Sequence, residues 1–137
     1  MITSKFVIAF ALGLSSSVTI AASATTPSNG CDLVTFKATQ VRPYIVDVRQ
    51  GHHVDRKLIG ANVFVPAQQV LTAEYLQSRV ESHIAAMKHN AMPNCPLAVA
   101  GATVTVSSAG NGYWVQISST DQNSAEEILR RANELVR

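Results

Sequence analysis

Five residues that fall close together in the chain, His83, Met87, His89, Met92 and Cys95, carry side chains able to hold a soft metal ion. Imidazole, thioether and thiolate form a donor set that suits Cu(I) or Ag(I), and His83 and Met87, four apart on a helix, would share one face. The expectation is a capture site at the end of a helix and in the loop that follows it. Each member also has a plainer role. His83 and Met87 fall on the apolar stripe marked by Leu76, Val80 and Ile84, where both would pack against a sheet. Met92 would fill a gap beneath the loop. The spacing matches no familiar metal motif, for there is no C-x-x-C, no Met-x-Met series and no pair of helical histidines with a glutamate between them.

Cys95 has a competing use. The other cysteine is Cys31, and in an oxidising compartment a Cys31–Cys95 disulfide is the expectation. A bridged sulfur is no thiolate ligand, so bridge and metal site compete for one atom. The same competition weakens a cysteine nucleophile with His83 or His89 as its base, which would also need an orienting third group. There is no G-x-S-x-G, no phosphate-cradling glycine loop and no carboxylate pair, so a small enzyme with a Cys/His site is the weakest of the functional readings.

His52, His53 and Asp55 form a second polar group. Adjacent residues on an extended chain point to opposite faces, so His52 and His53 make poor joint ligands, and a solvated turn is the simpler expectation. Trp114, the single tryptophan, alternates with Tyr113, Val115 and Ile117. If those three face the helices, Trp114 stands on the open face of the sheet as a contact anchor. The alternative places it near a sheet edge, packed against the segment Cys31 to Arg42.

The compartment is read from the N-terminus. Lys5 is followed by an apolar run from Phe6 to Leu14 that continues through small and hydroxyl residues to Ile20, and Ala22-Ser23-Ala24 offers a small-x-small cleavage pattern. Residues 1–24 therefore read as a cleavable signal, and the product as periplasmic or secreted. An uncleaved anchor fits less well, since Ser15, Ser16, Ser17 and Thr19 interrupt a run shorter than the roughly 20 apolar residues that span a bilayer. A lipid-anchored Cys31 fits poorly too, because Ser28 stands where a lipobox wants leucine. No membrane span is expected after cleavage. Net charge is +2, with Lys5 inside the leader and the other charges mostly scattered singly. That distribution leaves no electrostatic footprint for nucleic acid.

The elements that must position these groups follow from periodicity. Residues 25–30 read as a flexible leader and residues 31–137 as one α+β domain. Tyr44–Val48 and Leu58–Val65 read as strands, with His52–Lys57 as a polar turn between them. Thr72 is a candidate N-cap for a helix reaching about His89, ended by Asn90 and Pro93. Thr103–Ser107 and Tyr113–Ile117 flank Asn111-Gly112 as a hairpin. Ser124 and Glu127 form a capping box for a last helix whose stripe is Ala125, Ile128, Leu129, Ala132, Leu135 and Val136.

The order is ββαββα. It predicts a two-layer sandwich, an antiparallel sheet of about four strands with two helices on one face. That arrangement resembles a ferredoxin-like fold with its last strand moved to the front. The resemblance is one of architecture and implies no activity. The leading functional expectation is a small exported, non-catalytic domain that binds a protein or a small ligand, on the open sheet face or the loops. A periplasmic copper- or silver-binding protein is the alternative.

Overall fold

Alternating β-branched residues and two striped helices give the chain one solution, which the computed structural model displays over residues 30–87 and 92–137. Residues 1–24, expected to be a signal, all but the last of residues 25–30, and His89 lie outside the described residues. A short helix α1 (Asp32–Thr35) precedes β1 (Gln40–Gln50) and β2 (His53–Pro66). Helix α2 (Ala73–Met87) follows, then a single 3-10 turn (Pro96–Ala98), β3 (Thr103–Ala109), β4 (Gly112–Ser118) and α3 (Gln122–Leu135). The sheet is fully antiparallel in the order β1-β2-β4-β3. Helix α2 thus carries the chain from β2 over β4 to β3, as a ferredoxin-like sheet with its last strand moved to the front requires.

Strand parity decides which face is buried. Ala61, Val63 and Val65 lie opposite Ile117, Val115 and Tyr113 across the β2–β4 ladder, and all but the half-buried Tyr113 are sealed from solvent. Against them pack Leu76, Val80 and Met87 of α2 and Ile128 and Ala132 of α3. Burying side chains of this size contributes about 1.5–3 kcal/mol each for valine and larger. Both helices lie on that one face. Among the described residues, no helix is long and apolar enough to cross a membrane.

Three local details differ from expectation. The His52–Lys57 turn is a strand instead: Gln50 pairs directly with His53, so the loop is only Gly51-His52, with Gly51 at φ 62°. A glycine with positive φ at the first central position lets a two-residue loop follow the strand twist. A register shift beyond Tyr44 leaves Ile59 unpaired, and Gly60 next to it lies so close to the Ile117 carbonyl that a Cβ has no room. The second hairpin turns on Gly110-Asn111 rather than Asn111-Gly112, since Ala109 pairs with Gly112. A Cβ on Gly112 would sit 2.6 Å from the Phe64 ring.

The last helix begins earlier than its capping box. Asp121 is the N-cap, and its carboxylate accepts the Ser124 N–H at 2.8 Å. That bond holds the Asp121 carboxyl below the usual range. Thr72 behaves as expected, accepting the Tyr75 N–H at 3.2 Å.

Candidate metal centre

Three segments, the first of them far from the other two in sequence, meet at one corner of the helical layer. The first is the chain around α1. Leu33 is fully buried and draws its neighbours inward. Val34, Phe36 and Ala38 donate backbone N–H groups to Cys31, Asp32 and Leu33, and Thr39 then donates to the Phe64 carbonyl of β2. This knot presents Cys31 and Asp32 side by side. Asp32 keeps only 3% of its surface, so its charge needs partners.

Helix α2 supplies them. Arg79 and His83 are one turn apart and both reach the carboxylate, Arg79 at 3.7 Å from Oδ1 and His83 Nδ1 at 3.6 Å from Oδ2. With Nδ1 turned to Asp32, the imidazole presents Nε2 to the third segment, 3.8 Å from Cys95 Sγ. Cys95 is held in place by its own backbone. Its N–H bonds the Met92 carbonyl, its carbonyl accepts from Ala98, and Arg131 of α3 donates to the Cys95 carbonyl at 3.3 Å and the Met92 carbonyl at 3.5 Å. Arg131 is steadied by Glu127 at 2.6 Å. The Arg130 and Arg131 guanidiniums hold the Glu127 carboxyl down at about 2.

The two cysteines are joined as a disulfide, with Cα atoms 5.4 Å apart and 64 residues between them in sequence. One ligand atom each from Cys31, His83 and Cys95 lies within 4.8 Å of the others. The chemistry depends on the state of the sulfurs. Bridged, they are not thiolates, and His83 simply packs against them. Reduced, they would give two thiolates and an imidazole, a set suited to Cu(I), Ag(I) or Zn(II). Asp32 behind Nδ1 is the carboxylate partner that commonly orients a ligating histidine. The same series of Asp32, His83 and Cys95 also resembles a nucleophile with its base and orienting acid. Cys95, however, keeps 1% of its surface, and a substrate has no approach to it.

The remaining candidates are dispersed. Met87 is buried among the core side chains, and Met92 is partly buried against them with its carbonyl facing Arg131. His52 and His53 are exposed at the hairpin tip. Trp114 stands on the open face of an interior strand, its ring 5.1 Å from Phe64 and 5.0 Å beneath the Arg42 guanidinium. Arg42 belongs to the segment expected to pack against it, but Trp114 is not at a sheet edge. An open groove lined by Thr39, Arg42, Asn133 and Arg137 among others runs between β1 and the end of α3, and neither the cysteines nor His83 line it.

Asp32, Arg79 and Arg131 escaped the sequence reading, as did Cys31 in the role of a ligand. Two signals were present: Asp32 adjoins a cysteine, and Arg79 precedes His83 by one helical turn. No family model, curated protein or solved structure matches this chain.

Proposed function

We propose that this chain is a small non-catalytic binding domain whose ligand is a soft metal ion, Cu(I) or Ag(I), taken up by Cys31, His83 and Cys95 when the cysteines are reduced. The observation that carries the reading is the convergence of those three ligand atoms within 4.8 Å, with Asp32 on the far nitrogen of the imidazole. The leader read in residues 1–24 would deliver the domain to the periplasm or the exterior, where such ions arrive. The five-residue set expected from sequence is thereby narrowed. His83 and Cys95 stay, Cys31 replaces the methionines as the second sulfur, and His89 is a candidate only through its place in sequence.

Anaerobic titration of the reduced chain with Cu(I), in competition with a chromophoric chelator, tests this. One ion per chain is expected. His83→Ala should weaken uptake by more than the roughly 10–100-fold that loss of an outer-shell partner costs. No uptake beyond the chelator's own would end the reading.

A second reading, docking of a protein partner or small ligand on the open sheet face, is favoured by the stack of Arg42, Trp114 and Phe64. A partner pressed onto that face would change the emission of Trp114, the single tryptophan. Trp114→Phe should then weaken docking without altering metal uptake.

A further inference from the structure

We infer that the Cys31–Cys95 bridge is a removable closure on the metal site: oxidation of the pair expels the ion, and the bound ion protects the pair from oxidation. This rests on the metal reading and adds its regulation. The support lies in how the two cysteines are held. Cys31 is fixed by the buried Leu33 beside it, by the Asp32 contacts to Arg79 and His83, and by the Thr39 bond to β2. Cys95 is fixed by its backbone bonds to Met92 and Ala98, by the buried Pro96 and Leu97 after it, and by Arg131. Neither set of anchors passes through the sulfur–sulfur bond. Cutting it therefore leaves both sulfurs facing His83, already arranged for a ligand. A site that is organised before the ligand arrives loses little in ordering itself around it.

Metal–thiolate bonds and the disulfide use the same sulfur electrons, so the two states exclude each other. The exchange balances with a disulfide, RSSR, as oxidant. Cys31 keeps 7% of its surface against 1% for Cys95, so the Cys31 thiolate attacks first, forming a mixed disulfide and releasing RS⁻. The Cys95 thiolate then attacks the Cys31 sulfur, forming the bridge and releasing the second RS⁻. Two electrons pass from the cysteine pair to RSSR, and the metal leaves with its oxidation state unchanged.

The test uses the whole chain, reduced and loaded with one equivalent of Cu(I) without oxygen. Oxidised glutathione is added, samples are desalted over time, and protein-bound copper and free thiols are measured in each. Reduced glutathione alone serves as the control for simple competition. Two thiols should disappear for every ion released, and the loaded chain should oxidise about tenfold or more slowly than the metal-free one. Equal oxidation rates with and without copper would overturn the gate while leaving the metal reading intact, and copper retained after the bridge has re-formed would overturn both, since bridged sulfurs are not thiolate ligands. Failure to load, seen before any oxidant is added, would remove both. The metal-free reduced chain should keep its oxidised-state circular dichroism, and loss of that signal would show that the bridge builds the site after all.

Discussion

Two histidine-bearing regions look alike in the sequence and differ in the folded chain. His83 lies in a corner where α1, α2 and the loop before the 3-10 turn converge, and both of its ring nitrogens face a specific neighbour. His52 and His53 stand at the tip of a two-stranded arm. Residues His53 to Leu58 pair with β1 alone, because the β2–β4 ladder starts at Gly60. Histidine with an acid close by in sequence describes the arm better than the corner, where Asp32 is distant in sequence. Side chains that could act together are made to do so by tertiary backing, and the arm has only its own partner strand.

The comparison breaks if the corner proves dispensable or the arm essential. The largest effect is expected from replacing both cysteines with serine. Uptake should vanish, and the oxidised reference should exceed the variant by about 4 kcal/mol in urea unfolding, because a bridge across a loop of this length restrains the unfolded chain. That entropic gain is compatible with a native geometry that survives reduction. Leu33→Ala removes the anchor beneath Cys31 and should cost about 2–5 kcal/mol by the same measurement. A cost near zero would mean that the knot around α1 does not hold the corner.

Asp32→Asn separates orientation from ligation. It keeps the size of the side chain, and copper affinity should fall roughly 10–100-fold with one ion still bound per chain. An unchanged affinity would make Asp32 a partner of Arg79 only.

Acid tests the pairing of Glu127 with Arg130 and Arg131, the second of which braces the cysteine loop. The Glu127 carboxyl is depressed from 4.5 to about 2, so the stability it contributes is complete above its ordinary value and is lost as pH falls toward the folded one. Glu127→Gln should therefore flatten the decline in stability between neutral pH and about pH 3, read from urea midpoints. An identical decline in both proteins would show that the contacts of Glu127 with Arg130 and Arg131 carry no weight. The smallest effect belongs to the arm: His52→Ala with His53→Ala should leave uptake unchanged and stability within about 0.5 kcal/mol.

Periodicity made the architecture readable and left the corner hidden. The stripes of α2 and α3 and the alternation around Trp114 are local, and the sheet face they bury is the one seen. The arm was misread because a two-stranded ribbon is wet on both faces, so Asp55, Arg56 and Lys57 show no alternation although they form strand. The start of α3 was misplaced because Asp121 competes with Ser124 for the same cap and wins. Arg79 and Arg131 looked like ordinary surface cations of amphipathic helices, and only the packing of α1 and the Met92–Cys95 loop against those helices gives them partners. The cysteine pair was visible as a bridge, but the histidine facing it was visible only as one member of a stripe.

X-ray absorption at the copper edge of the reduced, Cu(I)-loaded chain addresses the central claim most directly. Coordination by two sulfurs and one imidazole nitrogen, with the nitrogen lost in His83→Ala, is the predicted result. An imidazole signal that persists in His83→Ala, or a shell without the two cysteine sulfurs, would contradict the account.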